Sequence, residues 1–87
     1  MKPKVITIEG LEPDQIKKAI YSVEKDKNWR EGQYVFNIAE MLFGGFVRQV
    51  QIQDKVDCFY DDDMIDEFIK CLSNRIKEYN NERHNTN

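Results

Sequence analysis

The chain has 87 residues, a formal net charge of −3 and a sequence pI of about 5.1. Its composition, 40% hydrophobic and 33% charged, fits one small folded domain rather than a disordered segment. The acidic balance argues against a broad basic field for direct nucleic-acid binding, and no apolar run reaches the roughly 18 residues of a membrane span.

Residues Val5-Ile6-Thr7-Ile8, followed by Glu9-Gly10, read as a short strand or an extended arm. Met1–Lys4 leads only into these four β-prone residues, too short a run for the apolar region of a signal peptide. Cys58 and Cys71 do not make a disulfide framework, and together with the missing leader they predict reduced thiols in a cytoplasmic protein.

A first helix is predicted over 13–25. Pro13 suits its first position and Asp14 its positive end, and Ile16, Ala19, Ile20 and Val23 recur at i, i+3, i+4, i+7. Asn28 with Glu31 reads as a capping box for a second helix over 29–43. Its apolar positions, Val35, Phe36, Ile38, Ala39, Leu42 and Phe43, cover more than one stripe and predict a central helix contacted on two sides. Gly32 costs about 1 kcal/mol inside a helix, which a close crossing would offset. Gly44-Gly45 reads as the stop of this helix. Residues 46–53 fit either a short helix or a strand that would pair with 5–8, with the helix the better fit.

Asp61-Asp62-Asp63 opens a last helix over 62–79, with Ile65, Phe68, Ile69, Leu72 and Ile76 as its buried face. Residues 80–87 hold no apolar side chain and read as a frayed, disordered tail. The expected fold is therefore mainly α: one compact domain of three to four helices over 1–79, with short connections that favour antiparallel neighbours.

Two segments stand out, Trp29-Arg30-Glu31-Gly32-Gln33-Tyr34-Val35-Phe36-Asn37 and Asp57-Cys58-Phe59-Tyr60-Asp61-Asp62. Together they resemble a group of small uncharacterised bacterial and phage proteins with a W-R-x-G-Q-x-x-F-N segment, a short helical stretch, D-P-F-Y-D-D and a closing helix. The resemblance covers roughly residues 15–72. The first motif matches at every fixed position, whereas Cys58 stands where the second has Pro, and Gly44-Gly45-Phe46 lies near where the group tends to have a Pro. Met1–Gly10 stands as an addition. The resemblance implies a compact helical fold and an association with phages or mobile elements, but no activity.

Each candidate chemistry has a structural alternative. Asp54, Asp57, Asp61, Asp62 and Asp63 offer oxygen ligands for a hard cation, yet they lack the order of a calcium loop, and helix starts attract Asp for capping alone. Arg30 is expected to form a structural tie with Asp57 or Asp62. Phe36 and Phe59 read as core, while Trp29 and Tyr60 fit either a core or an interface role. The single histidine, His84, and two separated cysteines fall short of a zinc site or a Cys–His nucleophile. No nucleotide-binding or nucleophile-elbow motif is present, so no cofactor is predicted. Lys17, Lys18, Lys25, Lys27 and Arg30 are interleaved with Glu24, Asp26 and Glu31 and read as a mixed solvated surface.

The expectation is a non-enzymatic module that binds a protein partner with a basic surface through Trp29, Arg30, Tyr60, Asp61, Asp62 and Asp63. The alternatives are a small nucleic-acid-associated or regulatory protein, and a carboxylate-based metal site or enzyme.

Overall fold

The structure, a computed structural model, describes residues 11–85, with side chains described through Tyr79. The chain forms three helices: α1 (Pro13–Tyr21), α2 (Glu31–Gln49) and α3 (Ile65–Asn85). A π-helical turn, Val50–Asp54, extends α2, and a 3-10 turn, Asp62–Met64, leads into α3. The mainly α domain expected from the sequence is the observed fold. The proposed arm over 1–10 lies outside the described residues.

The helices form for the reasons their patterns suggest. Ile16 and Ile20 of α1, Val35, Phe36, Ile38, Ala39 and Val47 of α2, and Phe68, Ile69, Leu72 and Ile76 of α3 are buried in one core. α2 packs against both α1 and α3, the central position that its broad apolar surface predicts. Tyr34 adds a polar anchor: its hydroxyl sits 3.0 Å from the Ile20 carbonyl and within reach of that of Val23, placed to donate to either. Ser73 is also buried, and its hydroxyl donates to the Leu11 carbonyl at 2.9 Å.

Several boundaries differ from those expected. α1 ends at Tyr21 rather than 25 because its last carbonyls find other donors: Ser22 Oγ donates to the Ala19 carbonyl at 2.7 Å, and Tyr34 serves the next turn. The cap of α2 is Arg30, not Asn28. Asp26 accepts the Asn28 N–H at 2.8 Å, which folds 26–29 into a turn, and the Arg30 N–H donates to Gln33 Oε1 at 3.4 Å.

Gly44-Gly45 does not stop α2. A glycine stop requires a left-handed residue, and neither glycine adopts one. The weakened backbone yields a kink instead, with Phe43 at φ −129°, ψ 22°, and the helix continues beyond it. Leu42, expected in the core, is exposed immediately before this kink. The left-handed stop falls at Lys55 (φ 59°), whose N–H donates to the Val50 carbonyl. Residues 46–53 are thus helical, with Val47 and Val50 buried, and the strand alternative is excluded. At the other end, α3 runs to Asn85, past the Tyr79 boundary set by the apolar pattern. Nothing in the polar stretch 80–85 breaks a helix, since it contains neither Gly nor Pro.

Asp54 and Arg75 lock the π turn onto α3. Arg75 Nη2 donates to Asp54 Oδ1 at 2.8 Å and Nε to Oδ2 at 3.2 Å, a two-bond pair that is largely shielded from solvent. The Arg75 guanidinium holds the Asp54 carboxyl below its ordinary value, mainly through this hydrogen bond and against the opposing effect of burial. Among the described residues, no helix is long and apolar enough to cross a membrane.

Candidate functional site

The two motifs singled out in the sequence meet at the start of α2. Gly32, in the first turn, allows the meeting. A Cβ at this position would lie 2.1 Å from the Cys58 carbonyl oxygen and 2.8 Å from Asp62 Oδ1. Only a residue without a side chain admits the 58–62 loop at that distance, so a close approach does offset the helix cost of glycine, although the element that approaches is a loop.

Polar contacts close the junction. The Gly32 N–H donates to Asp62 Oδ1 at 2.8 Å, and the Cys58 thiol donates to the Gly32 carbonyl at 3.3 Å. Arg30 Nη1 lies 3.4 Å from Asp62 Oδ1, and its Nη2 donates to the Phe59 carbonyl. Of the two partners expected for Arg30, Asp62 is therefore the one found. Asp57 instead braces the loop from within, accepting the Phe59 N–H at 2.8 Å and the Gln51 side-chain amide at 3.0 Å.

The remaining carboxylates divide by role. Asp61 caps the 3-10 turn by accepting the Asp63 N–H at 3.0 Å. Asp63 itself is exposed. Among the described residues, no three His, Cys, Asp or Glu side chains come together as a group able to hold a metal ion. The local sequence density of acids thus does not become a convergent cage, because separate partners draw the carboxylates apart: Asp54 faces Arg75, while Asp57, Asp61 and Asp62 accept the N–H groups of Phe59, Asp63 and Gly32.

The aromatic residues divide between core and surface. Phe36 is buried, with its ring centroid 5.6 Å from those of both Phe59 and Phe68. Phe59 packs half-buried against the core, as does Trp29. Tyr60 is 81% exposed, with its ring edge-on to Phe59 at 4.8 Å. Trp29, Arg30, Tyr60, Asp61, Asp62 and Asp63 thus sit around one junction, with Tyr60 at its outer surface. The close approach expected at Gly32 is found, with a loop in place of a helix, whereas the roles of Cys58 and of the Gly32 N–H were not anticipated. The signal available was a helix-disfavoured glycine one residue inside the start of α2, in a segment otherwise rich in large side chains.

Cys58 is fully buried. Burial, reinforced by the Asp57 charge, pushes its thiol up to about 12, so at neutral pH it is a protonated donor and not a nucleophile. Three of the basic residues singled out in the sequence are engaged: Lys17 lies 3.5 Å from Asp66, Lys25 donates to the Trp29 carbonyl, and Arg30 is turned into the junction. No protein-family model, no curated protein and no solved structure matches the chain.

Proposed function

We propose that the chain is a non-enzymatic protein-interaction module whose docking surface is the outer side of the motif junction, centred on Tyr60 and flanked by Asp61 and Asp63. The observation that carries this reading is the 81% exposure of Tyr60 on a loop fixed where Asp62 and Asp57 accept the N–H groups of Gly32 and Phe59 and the Cys58 thiol donates to the Gly32 carbonyl. An aromatic ring held on a braced loop loses little freedom on binding, which is the property of an interface anchor. The carboxylates beside it suit a partner with a basic surface, which they would attract over a Debye length. Arg30 ties the loop to the start of α2 through the Phe59 carbonyl and Asp62, and Trp29 beside it packs against the core. An origin in a phage or mobile element is proposed on the motif resemblance alone.

The test is a tagged pull-down of the full chain from nuclease-treated native-host lysate, read by mass spectrometry, with Tyr60→Ala in parallel. A stoichiometric protein captured by the wild type and lost with Tyr60→Ala is the expected result. Capture that is insensitive to Tyr60, or that disappears on nuclease treatment, overturns the reading.

A further inference from the structure

The surroundings of Tyr60 narrow the chemistry of what can dock there. The exposed ring rests on a series of rings that reaches the core: Tyr60 meets Phe59 edge-on at 4.8 Å, and Phe59 meets the buried Phe36 edge-on at 5.6 Å. The faces of an aromatic ring are negative and its edge is positive. An open face of Tyr60 therefore attracts a cation that lies over it.

The charges around the ring have the same sign as its faces. Of the carboxylates between Asp57 and Asp63, Asp62 is the one that faces a cation, Arg30. Asp57 accepts from the neutral Phe59 N–H and the Gln51 amide, and Asp61 from the neutral Asp63 N–H. Neither these two nor the exposed Asp63 has an ion-pair partner among the described residues. All three lie within three residues of Tyr60, a backbone reach of about 10 Å, which matches the Debye length of about 10 Å at 0.1 M salt.

Ring and charge together discriminate between ligands. An apolar side chain would gain from the ring but would strip water from carboxylates that it cannot pair. A phosphate group would be repelled. A lysine ammonium answers the charge, yet it is compact and strongly hydrated. An arginine guanidinium is planar and more weakly hydrated, so it lies flat on a ring while its N–H groups remain free to meet a carboxylate.

We propose that the Tyr60 loop takes an arginine side chain of its protein partner, stacked on the Tyr60 ring. The proposal rests on the docking surface assigned above and names the group that this surface holds.

The test titrates the full chain with a capped peptide that carries two arginines spaced by glycine, with its lysine twin and with its citrulline twin, at low salt, and reads backbone amide shifts by NMR. The arginine peptide should shift the amides of 57–63 and bind about 3-fold more tightly than the lysine peptide, the effect of an exposed cation–π contact. The citrulline peptide, planar but neutral, should not bind. The preference for arginine should survive Tyr60→Phe, which keeps the ring, and vanish in Tyr60→Leu, which keeps only apolar bulk. Asp61→Asn combined with Asp63→Asn should weaken both cationic peptides by a similar factor, since Asn preserves the cap. No binding, equal affinity for the arginine and lysine peptides, a preference that persists in Tyr60→Leu, or shifts confined to residues outside 57–63 overturns the proposal. The lysate capture separates this failure from that of the docking surface. A Tyr60-dependent host partner alongside peptides without an arginine preference removes the arginine alone, whereas capture insensitive to Tyr60 removes the surface itself.

Discussion

Asp62 accepts the backbone N–H of Gly32 at 2.8 Å across a sequence separation of thirty residues. One carboxylate thereby serves two purposes. It satisfies an N–H that the first turn of a helix leaves without an intrahelical partner, and it places negative charge at the positive end of α2. The same oxygen faces Arg30, so the junction is an end-cap supplied by a distant loop. The W-R-x-G-Q segment and the F-Y-D-D segment are the two halves of this contact.

Gly32→Ala tests the closeness of that contact. Alanine would gain about 1 kcal/mol from helix propensity. The added methyl would meet the Cys58 carbonyl at 2.1 Å, and a backbone oxygen cannot rotate away. The steric effect should win, with a net loss of about 3 kcal/mol in urea denaturation. Gly44→Ala is the control: it meets nothing within 4 Å and should be neutral or stabilising by up to about 1 kcal/mol. Equal behaviour of the two variants would show that the loop does not press on Gly32.

The carboxylates of the acidic cluster should separate by role. Asp62→Ala leaves the Gly32 N–H, which is part-buried, without its acceptor and should cost about 2 kcal/mol. Asp61→Ala removes the cap of the 3-10 turn and should cost about 1 kcal/mol. Asp63→Ala should stay within about 0.5 kcal/mol of wild type, as for an exposed surface change. Equilibrium unfolding of the three variants checks the order, and a cost shared evenly among them would contradict the separate roles.

The buried faces of α1 and α3 were legible because Ile16 and Ile20, and Phe68, Ile69, Leu72 and Ile76, follow the helical period against polar neighbours. The Arg30–Asp62 tie was legible as one of two choices, since charge and element ends suggested it, but only the path of the 57–62 loop distinguishes Asp62 from Asp57. The fate of Gly44-Gly45 was not legible. A glycine pair permits a stop or a kink, and the choice depends on whether the chain beyond it has buried positions to continue into. Val47 and Val50 supply those positions, and their burial requires contacts with distant residues. The Asp54–Arg75 pair was illegible for a related reason: twenty-one residues separate its members, and the π turn that aligns them has no pattern of its own.

That pair should leave a mark on the acid limb of stability. The Asp54 carboxyl titrates below its unfolded value of about 3.9. The folded state therefore binds its proton less readily, and the stabilisation is present above about pH 4 and is lost as the pH falls through the lower folded-state value. Arg75→Met removes the cause while keeping much of the stem. The stability difference between wild type and Arg75→Met should shrink as the pH is lowered below about 4. A difference that is constant with pH in chemical denaturation would place the contribution of Arg75 in packing alone.

The two thiols should react in two distinct regimes. Cys58 is fully buried, donates to the Gly32 carbonyl, and has its thiol pushed up to about 12 by burial and the nearby Asp57. Cys71 is half-buried, and burial, then the Asp54 and Glu67 charges, raise its thiol above the ordinary value. With an aromatic disulfide reagent at about pH 8, close to the ordinary thiol value, Cys71 should react first, more slowly than an unhindered thiol. Cys58 should react only as fast as the domain opens, at a rate that rises with urea in step with unfolding. In a Cys71→Ser chain only the opening-limited phase should remain. Rapid modification of that chain under native conditions would mean that the 58–62 loop opens from Gly32 without unfolding the helices, and the braced presentation of Tyr60 would then be lost with it.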